Sequence, residues 1–558
     1  MQKYLLTLSL PFLFLLQGNC QSINPQLLSA TYFGSPGNDF TGAVSTDHEG
    51  NIYLCSTVKS GAPTTLGVHQ TIFGGGTYDA MISKFDKSGK LVLSTYFGGS
   101  GYDDNFNKLK ILSDGAIVTT GATASPNKIA TAGAHDTTLG GGYDAFVAVF
   151  EPDGKLRWST YFGGSADDYP FGLDVDNDDN IYLTGSTLSN TGIATTGSFQ
   201  PIRAGAGDGF FAKFDKTGSL QWASYLGGVG NDALYSIGID KDNNIYLGGE
   251  MNSSKLATTD AFDSEYGGGG DGFLTKFNKE GQQIWATYFG TGGKDEVYFL
   301  DIDHHNNVYI MGPTTSPIGM ASVGAYASTN AGKRDVFIAK FDPKCQRLWS
   351  TFLGGTEWDT AFGCDFDNSD NIYVAIMSQS YNFPITYDIP GPYYNGGAWD
   401  AAFVKFSKDG SLIWSTYFGG DGNDRALDIC LDDEQNIIAS INSDSPGLAT
   451  PGAFNETARG FESLLIKMSD ATIINTADLE KLPPLTVFPN PASDFVEIPN
   501  HNLEKRNIAI YNLNGEMVLR FINSDIQRIN TSKLLEGEYI IHTSDSKGQQ
   551  FGRFIKVK

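Results

Sequence analysis

Apolar positions in this chain fall into short alternating runs rather than the 3.6-residue stripe of a helix, and the runs come in groups of four. One group reads "FGLDVD" (Phe171 to Asp176), "NIYLTG" (Asn180 to Gly185), "GFFAKF" (Gly209 to Phe214) and "LQWASYL" (Leu220 to Leu226). "NDD" separates the first pair and "DKTG" the second, which is the chemistry of tight hairpin loops. Short runs rich in aromatic and β-branched residues, bounded by such turns, predict four antiparallel strands.

The group repeats. The last run ends in a motif seen as "LRWSTYFGGS", "LIWSTYFGGD" and "QIWATYFGTG", and its Thr recurs at Thr31, Thr95, Thr160, Thr287, Thr351 and Thr416, with Ser224 in the same place. The spacing is 63 to 65 residues throughout. Seven units of near-constant length predict a repeat architecture. A lone four-stranded sheet leaves two partly apolar faces uncovered, and seven packed face to face about an axis bury both, so the fold class is all-β, a seven-bladed β-propeller. "SATYFG" (Ser29 to Gly34) precedes any complete unit, while the last unit lacks a following "WSTYFGG". The N-terminal strand is therefore expected to supply the fourth strand of the last blade. Trp158, Trp222, Trp285, Trp349 and Trp414 share one position in the outer strand and are expected to pack between blades.

Acids keep the same register. Asp39, Asp103, Asp168, Asp232, Asp295, Asp359 and Asp424 follow the mark by eight residues, and Asp79, Asp144, Asp208, Asp271, Asp335, Asp400 and Glu462 open the third runs. Both rings should lie at one end of the propeller, either as a cation-binding acidic face or as carboxylates accepting N–H bonds in their own turns; sevenfold occurrence favours the second. The hairpin turns "DVDNDDN", "DIDHHNN" and "DFDNSDN" have oxygen ligands at alternate positions but lack the central Gly and distal Glu of a calcium loop, so turn chemistry is the better reading and no cofactor is expected. The long Gly-rich loops between second and third runs differ most from unit to unit. On them Tyr393, Tyr394 and Trp399 are the first candidates for contact with a ligand.

Composition narrows the function class. A net charge of −25 over 558 residues argues against nucleic acid or anionic membrane as partner. The seven His residues show no metal-ligand spacing, and neither a G-x-S-x-G elbow nor a phosphate loop is present. Paired carboxylates leave polysaccharide hydrolysis or lysis open as the alternative to a binding role. "MQKYLLTLSLPFLFLLQGNCQ" reads as a signal peptide over 1–20, cut after Cys20, with a lipid anchor on Cys20 as the rival; no later segment is long and apolar enough to span a membrane as a helix. Cys55, Cys345, Cys364 and Cys430 are too few and too scattered for a disulfide scaffold and are read as buried apolar side chains.

The repeat register covers 21–470, 471–484 reads as a linker, and 485–558 carries a different small β pattern, a β-sandwich. Its residues Phe488, Pro489, Asn490, Pro491, then "YNLNGEMV" with Gly515, "LLEGEYII" with Gly537 and Tyr539, and a closing "RFIKVK" with Lys556, resemble the type A C-terminal sorting domain of the type IX secretion system. The resemblance implies a Bacteroidetes bacterium, export through the periplasm, recognition by the type IX machinery, and release or retention at the outer cell surface. The seven units resemble the SBBP-type β-propeller repeat, legible across Gly140 to Gly185, with departures at Cys345 and at Gly115 to Val118 that predict local irregularity in two blades. That resemblance carries no catalytic residues. The function expected is a secreted or cell-surface binding protein whose acidic, loop-rich face meets a glycan or a protein.

Overall fold

The computed structural model describes residues 21–22, 25–386, 394–470, 472–473, 485, 487–498, 506–512, 517–524, 528–532, 534–545 and 548–557. The signal-peptide reading over 1–20 and nearly all of the linker lie outside them.

One compact unit runs from Gln26 to Asp470. It consists of seven four-stranded antiparallel sheets, and in six of them the strands are sequential neighbours. Blade 3 is typical: Asp168–Val175, Ile181–Thr187, Asp208–Phe214 and Leu220–Leu226, from the axis outward. First strands of consecutive blades lie against one another around a closed ring, the last against the first. Blade 7 takes its outer strand from Gln26–Phe33, which pairs antiparallel with Glu462–Ser469 from Gln26↔Ser469 to Phe33↔Ser463. The closure expected from the two incomplete ends is thus the observed one.

The outer-strand tryptophans sit between blades. Trp414, Trp285 and Trp349 are buried, and Trp158 and Trp222 are partly so. Trp158, Trp285 and Trp349 each donate Nε1–H to a carbonyl in the outer hairpin of the next blade, on Lys216, Pro343 and Lys408. The left-handed glycine of that hairpin lies flat on the indole: a Cβ on Gly410 would come within 2.7 Å of the Trp349 ring. Trp349→Phe is expected to lower stability by about 1–2 kcal/mol through the lost hydrogen bond and ring area, checked by denaturant unfolding.

Cys345 holds this glycine position in blade 5, with φ of 67°, and its N–H still bonds the Asp342 carbonyl as Gly218 N–H bonds Asp215. Gly115 in blade 2 has φ of 83° where Asp179 and Asn243 have similar left-handed values in their own blades. Neither departure distorts its own hairpin, yet both blades are irregular in their first strands: Asp104 to Lys108 of blade 2 bulge opposite Ala122 to Thr120, and the first strand of blade 5 is shortened to Phe299–Ile302. The turn's hydrogen bonds fix its shape, and a buried Cys against the core, or a glycine one hairpin over, satisfies the same geometry. Among the described residues Cys55, Cys345, Cys364 and Cys430 are unpaired.

Ion pairs tie the first hairpins of blades 1 and 3 to 7 to their blades, and blade 2 has Leu112 and Val149 at these positions. Asp176 Oδ1 accepts from the N–H groups of Asp178 and Asn180, and Oδ2 accepts from the Asn180 amide and the Tyr182 hydroxyl, 3.4 Å from Lys213 Nζ. Lys276, Lys340, Lys405 and Lys467 repeat this with Asp240, Asp303, Asp367 and Asp432. Burial pushes Asp176 up, but the Asn180 and Tyr182 donors outweigh it and hold it below the usual carboxylate range. Asp176, Asp303 and Asp367 each belong to one of the calcium-like turns, and their oxygens accept from protein donors.

The second unit, C-terminal to the first, has a four-stranded antiparallel sheet and a two-stranded one, Phe495–Glu497 with Arg528–Asn530. Ile508, Ile510, Ile541 and Phe554 form its core with Val496 and Ile529. Among the described residues no helix is long and apolar enough to cross a membrane.

Candidate functional site

The two acidic rings are turn locks, not a surface. Gly164, Gly228, Thr291, Gly355 and Gly420 each donate a backbone N–H to the acid four residues on, from Asp168 to Asp424. Gly140, Ala204, Gly267 and Ala331 do the same for Asp144, Asp208, Asp271 and Asp335. Asp39, Asp79, Asp271, Asp400 and Asp424 are wholly buried. The acid opening the third strand of one blade and the acid opening the next blade flank a single glycine: a Cβ on Gly163 would sit 2.6 Å from the Asp144 carboxyl carbon and 2.8 Å from Asp168 Oδ2. This is why the repeat is written "YFGG". The favoured reading of these acids as acceptors in their own turns is the observed one, and the face offered to a ligand is corrected from acidic to one whose carboxylates point inward; Asp103 lies among side chains outside the described ones.

What the same end presents is aromatic. Third after each opening acid comes a residue aimed at the axis: Phe171, Tyr235, Tyr298 and Phe362. Their rings touch in sequence, with centroids 5.4 Å apart for Phe171 and Tyr235, 5.2 Å for Tyr235 and Tyr298, and 6.0 Å for Tyr298 and Phe362. A second arc continues round the rim, Phe40 to Tyr78, Tyr78 to Tyr102, Tyr102 to Tyr143 and Tyr143 to Tyr169, at 5.5–6.4 Å. Of these rings Phe40, Tyr102, Phe171, Tyr235, Tyr298 and Phe362, together with Phe299 and Met377, line a funnel of about 650 Å³ on the axis. The signal was present in the sequence as an aromatic at a fixed offset from the register acid, and a reading focused on the loops passed over it.

Charge around the funnel is uneven. On blades 4 and 5, Glu296 Oε1 and Oε2 receive Lys294 Nζ at 2.7 Å and Arg334 at 2.5 Å, and the Tyr298 hydroxyl is 3.3 Å from Glu296. Glu250 stands beside them, 3.3 Å from the Tyr235 hydroxyl; burial and then the Glu296 charge push its carboxyl up. On blade 7, Arg425 has no acid partner among the described residues, and its guanidinium faces the rings of Trp399 at 5.9 Å and Phe461 at 5.4 Å. The floor is Lys108, 4.2 Å from the Phe299 ring centroid and 3.9 Å from Asp428. Beneath it a cavity of about 290 Å³ is lined by Lys110, Asp174, Asp301 and Asp365. Burial pushes Asp301 up to about 7 and Asp365 up to about 6.

Of the loop candidates, Trp399 joins this site through Arg425. Tyr394 turns away, donating to the Gly397 carbonyl and packing edge-on against Tyr417. Tyr393 lies outside the described residues. In the second unit, Pro489, Asn490 and Pro491 are exposed and Gly537 is exposed at the start of its strand. Tyr539 stacks on Phe554 at 5.4 Å and donates to the Leu535 carbonyl, while Lys556 is buried with Nζ on the Val557 carbonyl. Gly515 lies outside the described residues.

Comparison with known proteins places these features. Residues 486–557 match the family described as Secretion system C-terminal sorting domain, and 157–191 and 221–254 match Beta-propeller repeat. An uncharacterized WD repeat-containing protein of Acanthamoeba polyphaga mimivirus is 23% identical over 53% of this chain and 25% of its own length. The regulatory protein FlaEY of Caulobacter vibrioides is 23% identical over 36% of this chain and 21% of its own. The chain thus spans about a quarter or less of these relatives. Among solved structures, an ulvan lyase is similar with a TM-score of 0.40 at 10% identity, covering 75% of this chain and 93% of that one. A glucose dehydrogenase has a TM-score of 0.29 at 10% identity, covering 58% and 92%. With seven closed blades and a tail of the sorting type, the chain is an SBBP-type β-propeller carrying a type IX secretion C-terminal sorting domain, exported to the cell surface or beyond it.

Proposed function

We propose that the exported propeller binds glycan in its axial funnel. The observation that carries this reading is the aromatic belt of Phe171, Tyr235, Tyr298 and Phe362, continued on the rim by Tyr78, Tyr102 and Tyr143. Sugar rings have apolar C–H faces that lie against aromatic rings and hydroxyls that meet flanking polar groups, so concave aromatic walls with a few charged groups suit them. Type IX export delivers the funnel to where such polymers are met. Tyr235→Ala and Phe362→Ala, read by isothermal titration against a panel of soluble oligosaccharides, are each expected to weaken binding at least tenfold. Unchanged affinity in both would refute the reading, as would capture of a protein ligand with no oligosaccharide bound.

One observation favours a second reading, a polysaccharide hydrolase or lyase. Glu250 and Glu296 form a buried carboxylate pair with Lys294 and Arg334 behind the funnel-lining rings of Tyr235 and Tyr298, whose hydroxyls they meet, in one sector alone. A raised carboxyl beside a held carboxylate is a general acid–base arrangement. Reducing-end release from a bound oligosaccharide, abolished in Glu250→Gln, would establish it.

A further inference from the structure

The blade 7 side of the funnel collects hydrogen-bond donors without an acceptor. Arg425 and Asn442 face each other across neighbouring strands, and Thr41 of blade 1 lies next to them. All three line the funnel. The Arg425 Nε–H is sealed from solvent with no hydrogen-bond partner, as is the Thr41 hydroxyl, whose residue is 5% exposed. Asn442 Oδ1 accepts the backbone N–H of Thr41 at 2.6 Å. A backbone N–H is always a donor, so the amide orientation is fixed and Nδ2 is left as a donor on the funnel side. Trp399 and Phe461 hold the guanidinium from either side without neutralising it. Lys108 adds a positive charge at the floor, only loosely paired with Asp428 at 3.9 Å.

An uncompensated guanidinium and idle donors in a half-buried site are costly unless a ligand supplies the acceptor. Other blades do not repeat the arrangement: the position of Arg425 is Tyr169 in blade 3, Ala233 in blade 4 and Glu296 in blade 5. A feature present once in a sevenfold scaffold is not required for the scaffold. We infer that Arg425, Asn442 and Thr41 seat an anionic substituent, a carboxylate or a sulfate ester, of an acidic polysaccharide bound in the funnel. The inference rests on the glycan reading above and specifies its substrate class. A planar guanidinium meets either group with two parallel hydrogen bonds, which an ammonium does not reproduce.

The test uses the full-length exported protein with three probes of equal length: an oligogalacturonate, a neutral xylo-oligosaccharide, and a sulfated galactan oligosaccharide free of uronate. At least one acidic probe is expected to bind tenfold or more tighter than the neutral one, with affinity falling as salt rises. Arg425→Gln should remove that difference, Arg425→Lys should restore only part of it, and Asn442→Asp should abolish acidic binding while keeping the acceptor for Thr41 N–H. The stronger acidic probe identifies the group as carboxylate or sulfate. Equal binding of neutral and acidic probes, or acidic binding indifferent to Arg425→Gln, overturns the inference and leaves the glycan reading standing. Failure of all three probes to bind overturns both.

Discussion

A propeller that begins at Ser35, lacking the strand Gln26–Phe33, is expected not to reach a cooperative folded state. In blade 7 that strand covers Glu462–Ser469 along its whole length and brings Ala30, Tyr32 and Phe33 into the core, with Tyr32 fully buried and hydrogen-bonded to the Ser445 carbonyl. Phe33 also meets Phe85 of blade 1 at 5.5 Å, so its loss opens the seam between first and last blades. Burying a large apolar side chain contributes about 1.5–3 kcal/mol, so the strand as a whole is worth on the order of 5–10 kcal/mol, comparable to the net stability of a typical domain. Because Gln26 pairs with Ser469, a hairpin of a few residues joins the two without strain, as in every other blade. The permuted chain, Ser35 to Asp470 followed by the rest of such a turn and Gln26 to Gly34, keeps the Asp470 carboxylate on Lys405 and Trp414 and is expected to melt within a few degrees of the parent. Circular dichroism melts decide it: a truncated propeller with a parent-like transition, or a permuted one without any, would show that closure is not what holds the ring.

The architecture was legible because it rests on spacing. A 64-residue period, four runs per period and two incomplete ends leave one arrangement that buries every face, and the tryptophans at one offset mark the seam between wedges. The site was less legible because it rests on direction. Whether Asp168 points into solvent or back into its own loop depends on the path of Gly164 and the space left by Gly163, neither of which is a matter of period. Repetition also draws attention to what all seven units share, and what they share is scaffold. Arg425, Glu250 and Glu296 each occur once at their register position, and departures of that kind, together with the aromatics Phe171, Tyr235, Tyr298 and Phe362 third after their acids, form the proposed site. The variable loops contributed Trp399 to it, while Tyr394 is used to hold its loop against blade 6.

Stability is expected to rise as pH falls from 8 to about 5, the reverse of most proteins that rely on paired carboxylates. Burial is the largest cause of the raised pKa in the ring acids: Asp39 and Asp144 go to about 6, and Asp271, Asp335, Asp400 and Glu462 to about 7. In the unfolded chain such groups titrate near 4. An acid whose folded value lies above its unfolded one favours the fold fully below pH 4 and loses that contribution as pH climbs through 6 to 7. Neighbouring blades place two of these acids across one glycine, so Asp335 and Asp359, or Asp400 and Asp424, each raise the other's cost of ionising. A tenfold change in proton affinity between the folded and unfolded chain corresponds to about 1.4 kcal/mol, and because the pairs relax together the sum over the ring is taken as a few kcal/mol. The hairpin acids work in the opposite sense. Asp47, Asp176, Asp367 and Asp432 are held below their usual value by Asn, Tyr and Lys donors against the pull of burial, and their contribution disappears below about pH 4. The optimum therefore falls between these limits, near pH 5, with a Tm at least about 5 °C above that at pH 8 in buffers of equal ionic strength. Asp335→Asn and Asp400→Asn carry a permanently neutral group of the same shape, with Nδ2 as a donor where the acid's Oδ1 has no hydrogen-bond partner. The double variant is expected to match the parent at pH 5 and exceed it at pH 8. A Tm that stays level or climbs toward pH 8 in the parent would mean that these carboxylates are ionised in the folded ring and that their burial is compensated by partners other than their own loops.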